Sequence, residues 1–172
     1  MSLLLRERKL NRLRSYDYSQ VGSYYLTICT KDKEEFFGGI RNGKMVLNKY
    51  GMIISQQWNW LFKQYLYINK DEYIIMPNHF HAVMQIHSYE RGRDRSRPVP
   101  TITIKHKSLS ELIGAFKTTS SKQIHNLGCN HFLWQRLFYD RIIRNECEYI
   151  AIRQYILDNP KNWLTDRNNA NV

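Results

Sequence analysis

One ten-residue segment, Pro77–Ile86, constrains the fold more than any other part of the chain. It reads Pro-Asn-His-Phe-His-Ala-Val-Met-Gln-Ile. Successive side chains of a β-strand point to opposite faces of the sheet. One face of this segment is therefore uniformly apolar and holds Phe80, Ala82, Met84 and Ile86. We predict a strand over residues 79–87 that turns this face to the core and places His79 and His81 side by side on the other face.

Two parallel imidazoles suggest a metal site. Imidazole nitrogens bind several divalent first-row metals, and His79 and His81 would form a two-point grip near the start of the strand. The simpler interpretation is that both are strand histidines that face solvent and have no function. A His-x-His triplet by itself does not decide between the two.

The segments around this strand predict an α+β sandwich. Aromatic and β-branched residues predict strands over 24–30, 73–76 and 132–143, and Asn42-Gly43 predicts a hairpin turn. Helices are predicted over about 49–65, from the capping box Ser108–Glu111 to Gly128, and from Asn145 to Asn159. This order indicates an antiparallel-rich sheet covered by helices on one face.

Composition narrows the class of protein. The chain has 172 residues, which fits a single domain, and its net charge of +11 suggests a polyanionic partner such as nucleic acid or an anionic membrane surface. Ordinary solubility charge is the simpler explanation. We find no apolar run long enough to span a membrane and no secretory signal, and three widely spaced cysteines fit a reducing cytoplasm.

Two segments carry much of the positive charge. Residues 1–15 form a basic arm, and residues 88–107 form a basic loop with Gly92, Pro98 and Pro100; each has a surplus of four positive charges. We expect both to hold a polyanion rather than to carry out chemistry.

The last predicted helix places Tyr155 beside an apolar stripe of Tyr149, Ile152 and Ile156. Asn159 follows four residues later and lies over the same surface, as residues i and i+4 of a helix do. A phenol and an amide could therefore meet at one edge of this helix. The alternative is that Tyr155 packs and that Asn159, before Pro160, only ends the helix.

These motifs together resemble a known family. Pro-Asn-His-Phe-His-Ala-Val is similar to the His-hydrophobic-His motif of the HUH single-tyrosine transposases, and Tyr-Ile-Leu-Asp-Asn-Pro (155–160) is similar to their C-terminal nucleophile helix. The resemblance is strongest to the REP-associated tyrosine transposases, relatives of the insertion-sequence-200 type. It extends from Tyr16 to Trp163 and includes Trp134-Gln135-Arg136.

The resemblance implies a ferredoxin-like HUH sandwich and assigns roles to individual residues. It makes His79 and His81 ligands of a divalent metal, Mg²⁺ or Mn²⁺, and makes Tyr155 the nucleophile. Asn159 stands where the family supplies a third ligand, which is usually Gln in the insertion-sequence relatives. Asn is one methylene shorter than Gln, so whether its side chain reaches the metal depends on how close the end of the helix lies to the histidines.

The implied activity is cleavage and rejoining of single-stranded, hairpin-flanked DNA through a 5′-phosphotyrosine, in the bacterial cytoplasm and nucleoid. The alternative is a non-catalytic nucleic-acid-binding domain derived from a transposase. A homodimer and a monomer both remain open, and a membrane partner is not expected. The predicted DNA-binding residues are basic or aromatic: Arg12, Arg14, Arg91, Arg93, Arg95, Arg97, Lys117, Trp134, Arg136, Arg141 and Arg144.

We therefore divide the chain into three parts. Residues 1–15 are the basic arm, residues 16–163 the catalytic domain that contains the basic loop, and residues 164–172 a C-terminal tail. A ferredoxin-like RNA-recognition module is disfavoured, because no segment resembles its aromatic signature strand.

Overall fold

The computed structural model describes residues 18–88 and 106–169. The strands are β1 (Gly22–Cys29), β2 (Gly38–Arg41), β3 (Lys44–Leu47), β4 (Ile68–Ile75), β5 (His79–Ile86) and β6 (Tyr139–Ile143). The helices are α1 (Lys49–Gln64), α2 (Leu109–Asn126) and α3 (Glu146–Asp158), with short 3₁₀ turns at Lys31–Lys33 and Trp163–Thr165.

Four strands form one antiparallel sheet in the order β4-β5-β1-β6, and β2 and β3 form a separate hairpin. In the pairing of the two central strands, Thr27 lies opposite His81 and Cys29 lies opposite His79. The α+β sandwich with an antiparallel sheet is confirmed. Because directly paired residues share a face, this register sets which β1 side chains surround the histidines.

Helices α1 and α2 cover the predicted apolar face of β5. Phe80 packs between Trp58 of α1 and Phe116 of α2, with ring centroids 4.8 Å and 5.6 Å away. Helix α3 instead packs on the other face, where Ile156 joins Tyr25 and Val83 in a second buried cluster. The expectation of helices on one face was therefore wrong, because both faces of the central strands carry apolar residues.

Local signals account for the ends of the helices. Ser108 and Glu111 form the predicted capping box of α2, and the Asn145 side chain accepts a hydrogen bond from the Glu148 amide at the start of α3. In the β2–β3 turn, Asn42 and Gly43 have φ values of 51° and 68°. Positive φ at both central residues is what a type I′ hairpin turn requires.

Two predicted strands have different limits. Strand β4 begins at Ile68 rather than Tyr73, and a bulge interrupts its pairing between Lys70 and Tyr73. Strand β6 begins only at Tyr139; upstream of it, Trp134 makes an isolated bridge to Thr30. The first residues of β4 pair with β5, and Trp134 bridges to Thr30. These contacts join residues distant in sequence, so no local pattern reveals them.

Several predictions lie outside the described residues. The basic arm, most of the basic loop and the last three residues belong to this group, and with them Arg12, Arg14, Arg91, Arg93, Arg95 and Arg97. Within the described ranges, no helix combines the length and apolarity needed to cross a bilayer.

Candidate metal centre and nucleophile

The two histidines of β5 stand on the face of the sheet that α3 covers, and both are fully buried. We expected a polar, solvent-accessible face here. The difference arises because α3 and the segment that follows it lie over this face; the ring of Trp163, for example, is centred 6.0 Å from that of His79. Burial removes the interpretation that these are idle solvent-facing histidines.

One nitrogen of each imidazole is held by a neighbouring side chain. Nδ1 of His79 lies 2.8 Å from the side-chain oxygen of Asn78. Nδ1 of His81 lies 2.8 Å from the Tyr25 hydroxyl and 2.9 Å from that of Thr27. Since an amide oxygen can only accept, Nδ1 of His79 carries the hydrogen, which leaves the Nε2 lone pair of that ring free.

The Nε2 atoms of both rings make no hydrogen bond in the described part of the chain. Across residues 18–88 and 106–169, Nε2 of His79, Nε2 of His81 and the side-chain oxygen of Asn159 are buried without a hydrogen bond. Buried polar atoms normally have a hydrogen-bond partner, so three buried atoms without one need an explanation. All three are atoms that can bind a divalent cation.

Asn159 comes from the end of α3 and reaches His79. Only 1% of its surface is exposed, and its side chain contacts His79. Its amide nitrogen donates a 2.9 Å hydrogen bond to Asp166, which orients the amide and leaves its oxygen as the unpaired atom. The shorter Asn therefore contacts His79 without the extra methylene of Gln.

Asp166 is a site residue that sequence reasoning missed. Its carboxylate oxygen lies 3.9 Å from Nε2 of His79, and His79, His81 and Asp166 offer ligand atoms within 4.8 Å of one another. This buried group could hold a metal ion. Asp166 lies in the segment that we expected to be a C-terminal tail, and no motif or periodicity marks it.

Burial determines the protonation of the centre. Desolvation lowers the pKa of His79 to about 4, although the Asp166 carboxylate opposes this shift. The pKa of His81 is lowered well below its usual range, mainly by desolvation and secondly by electrostatic repulsion from the neighbouring His79. Both imidazoles are therefore neutral at pH 7, as metal coordination requires.

Tyr155 lies at the edge of this centre. Its ring is centred 5.3 Å from that of His81 and 6.4 Å from that of Tyr25, and 42% of its surface is exposed. Burial, then the negative charge of Asp166, raises the pKa of the Tyr155 hydroxyl. The phenol is thus protonated at neutral pH, and it faces both the histidines and solvent.

Polar contacts with the edge strand β4 also hold helix α3 on the sheet. Asp71 of β4 accepts a hydrogen bond from the Tyr149 hydroxyl, and one of its oxygens lies 3.3 Å from Nε of Arg153. Asp71 lies in the β4 bulge, and its partners Arg153 and Tyr149 precede Tyr155 on α3 by two and six residues. These contacts orient the helix so that the apolar stripe of Ile152 and Ile156 meets the sheet.

Three of the predicted DNA-binding arginines are exposed. Arg141 is opposite Tyr25 on β6, so it shares the sheet face of the histidines; its side chain is 58% exposed and pairs with Glu148. Arg144 and Arg136 are exposed as well. Arg141 thus lies on the same face of the sheet as the candidate centre, and Arg144 follows at the end of β6 that is farther from the histidines.

Lys117 and Trp134 are engaged within the protein. The Lys117 ammonium donates to the carbonyl oxygen of Gln135 at 2.8 Å, and burial lowers the pKa of Lys117 to about 8. The Trp134 ring packs against Phe37, and its nitrogen donates to Ser120 at 3.0 Å. For Trp134 the structure favours the packing role that the sequence also allowed.

The fold is shared with a solved transposase. The structure of a REP-associated tyrosine transposase bound to a REP hairpin aligns with a TM-score of 0.60, at 15% sequence identity, over 88% of this chain and 73% of that one. At this identity the likeness establishes the fold alone, an α+β domain with an antiparallel sheet.

A sequence relative defines the family. An uncharacterized protein of Haemophilus influenzae is 33% identical over 168 residues, which cover 95% of this chain and 93% of that protein. The chain belongs to the family of that protein. No family model matches the sequence.

Proposed function

We propose that this protein is a metal-dependent tyrosine transposase that cleaves and rejoins single-stranded DNA next to a hairpin. The observation that carries the proposal is the position of Tyr155, whose ring is centred 5.3 Å from that of His81 in a centre with three unpaired metal-binding atoms. A nucleophile beside a metal centre is the arrangement that transfer of a phosphate ester needs.

In the proposed reaction the Tyr155 hydroxyl oxygen attacks a backbone phosphorus. A bond from the tyrosine oxygen to phosphorus forms, the bond from phosphorus to the 3′-oxygen breaks, and the phenol proton ends on the released 3′-hydroxyl. The resulting 5′-phosphotyrosine conserves the phosphodiester energy, so a 3′-hydroxyl can later reseal the strand without another reactant.

The surrounding residues would prepare this step. His79, His81 and Asn159 would hold Mg²⁺ or Mn²⁺, and imidazole ligands suit Mn²⁺ better than Mg²⁺. When bound, the ion stabilises negative charge on the phosphate. The Tyr25 and Thr27 hydroxyls keep the His81 ring oriented, and the partial exposure of Tyr155 lets a strand reach its hydroxyl.

The proposed partner is bacterial DNA, met in the cytoplasm and nucleoid. The solved neighbour is bound to a REP hairpin, and we propose a hairpin-bearing DNA partner for this chain as well. Arg136, Arg141 and Arg144, with the basic arm and the basic loop, would contact phosphates. Since one chain supplies Tyr155, His79 and His81 to a single centre, a monomer is a sufficient catalytic unit in this proposal.

A covalent adduct tests the proposal. The full chain is incubated with Mn²⁺ and a pool of hairpin-bearing single-stranded oligonucleotides, then run on a denaturing gel. We expect a protein–DNA adduct with the natural chain and with Tyr50→Phe, a control on α1 away from the centre, and none with Tyr155→Phe. An adduct with Tyr155→Phe would show that the nucleophile is another residue. Binding without any adduct would favour the non-catalytic alternative.

A further inference from the structure

The carboxylate of Asp166 lies 3.9 Å from Nε2 of His79, one of the two candidate histidine ligands. We propose that its carboxylate binds the metal directly, so that the free protein holds a divalent ion before any DNA arrives. The inference rests on the proposed function only in assuming a metal at His79 and His81. It goes beyond it in adding a ligand from outside the resembling motifs and in assigning that ligand a role in substrate-free metal binding.

The position of the carboxylate fits a shared ion. Ligand atoms lie about 2.0–2.2 Å from zinc or magnesium, so two ligands on opposite sides of one ion are up to about 4.4 Å apart. The 3.9 Å between the Asp166 oxygen and Nε2 of His79 is within that limit. This distance allows both residues to bind the same ion.

The same oxygen organises the neighbouring ligand. It accepts the 2.9 Å hydrogen bond from the Asn159 amide nitrogen, which turns the unpaired amide oxygen away from Asp166. A carboxylate oxygen has two lone pairs, so it can accept this hydrogen bond and bind a metal at once. Asp166 thus links the end of α3 to the histidine pair.

The segment that carries Asp166 is tied to the start of β5. The carbonyl of Asn168 accepts a 2.8 Å hydrogen bond from the side chain of Asn78, the residue whose oxygen holds Nδ1 of His79. The other carboxylate oxygen of Asp166 accepts from the Asn168 amide at 2.6 Å. The carboxylate is therefore held in place rather than free to swing away.

Charge gives the reason for a carboxylate here. His79, His81 and Asn159 are neutral ligands, and a divalent ion bound by them alone would keep its whole charge in a buried place. Transferring such a charge out of water is costly unless an opposite charge is close. Asp166, which is 7% exposed, supplies one negative charge before a DNA phosphate can supply more.

Binding of Mn²⁺ to the DNA-free full chain tests this inference. Titration followed by electron paramagnetic resonance gives the dissociation constant without any cleavage. We expect Asp166→Asn to weaken Mn²⁺ binding at least about tenfold, since even residues that only support a ligand change affinity about 10–100-fold. The control Asp158→Asn removes a half-buried carboxylate that pairs with Lys161, and this variant should bind Mn²⁺ as the natural chain does.

Equal affinity of Asp166→Asn and Asp158→Asn, or no binding by the natural chain, would overturn the inference. If Asp166→Asn does not fold, crystals of the natural chain soaked in Mn²⁺ give the answer. An anomalous peak at bonding distance from the carboxylate supports it, and a peak bound only by the other residues contradicts it. If Asp166 binds the metal but no DNA adduct forms, this inference holds and the proposed function fails. If the adduct forms but Asp166 does not bind the metal, the proposed function holds and this inference fails.

Discussion

The Tyr25 hydroxyl and Nδ1 of His81 lie 2.8 Å apart on neighbouring strands. The Thr27 hydroxyl lies 2.9 Å from the same nitrogen, and it also donates to the Tyr25 oxygen at 3.3 Å. Residues that hold the far nitrogen of a metal-binding histidine fix its tautomer and raise its basicity. The rings of Tyr25 and Tyr155 also meet edge to face, so this one residue touches both parts of the candidate centre.

We therefore expect Tyr25→Phe to weaken Mn²⁺ binding about 10–100-fold while the fold is kept. The matched control is Tyr73→Phe, which removes a hydroxyl that is 3.4 Å from Ser55, from a β4 residue that packs on Phe80 on the face opposite the histidines. Titration of both variants with Mn²⁺ compares them. Unchanged affinity of Tyr25→Phe would show that Thr27 alone is enough to hold His81.

The buried histidines predict a loss of stability in acid. Each binds a proton in the unfolded chain near pH 6.5, but in the folded chain only at a much lower pH, about 4 for His79. Between these values the unfolded chain holds more protons, so lowering the pH favours unfolding. Without metal, each histidine should decrease the free energy of unfolding by up to about 1.4 kcal/mol per pH unit below pH 6.5.

Urea unfolding at several pH values between 7 and 4 measures this slope. His81→Gln should flatten it, because the substituted residue cannot take up a proton in the unfolded chain. His87→Gln is the control, since His87 is exposed at the end of β5. A His81→Gln slope as steep as that of the natural chain would mean that other groups cause the acid sensitivity.

Docking of α3 should depend on one apolar side chain. Ile156 is fully buried against Tyr25 and Val83, whereas Ile150 on the same helix is 58% exposed. We expect Ile156→Ala to lower the free energy of unfolding by about 2–4 kcal/mol, and Ile150→Ala to change it by less than about 0.5 kcal/mol. Equal effects in urea unfolding would contradict the packing of α3 described above.

The exposed arginines at β6 should control salt dependence rather than chemistry. Removing one phosphate contact to a single strand flattens the plot of log affinity against log salt by about 0.7. We expect this for Arg141→Gln and for Arg144→Gln in binding titrations with a hairpin-bearing oligonucleotide. Lys63→Gln, at the end of α1, should leave the slope unchanged, and an equal change there would indicate non-specific attraction.

Local patterns predicted much of the framework. The alternation of β5 correctly separated its apolar face from the histidines, and the spacing of α3 placed Tyr155 and Asn159 at one edge of the helix. Caps and the Asn42-Gly43 turn marked boundaries to within a residue or two. These features depend on neighbours in sequence, which is why they can be read from it.

The sequence by itself determined the class of fold, the pairing of the histidines and the helix that brings Tyr155. Only the tertiary structure decided that the histidines are buried, that Trp134 packs inside and that Asp166 joins the centre. Burial depends on what covers a face, and α3 and residues 163–169 come from a part of the chain at least 60 residues after the end of β5. A lone Asp in an irregular segment has no periodicity to reveal it, so its role emerges only when the chain folds back.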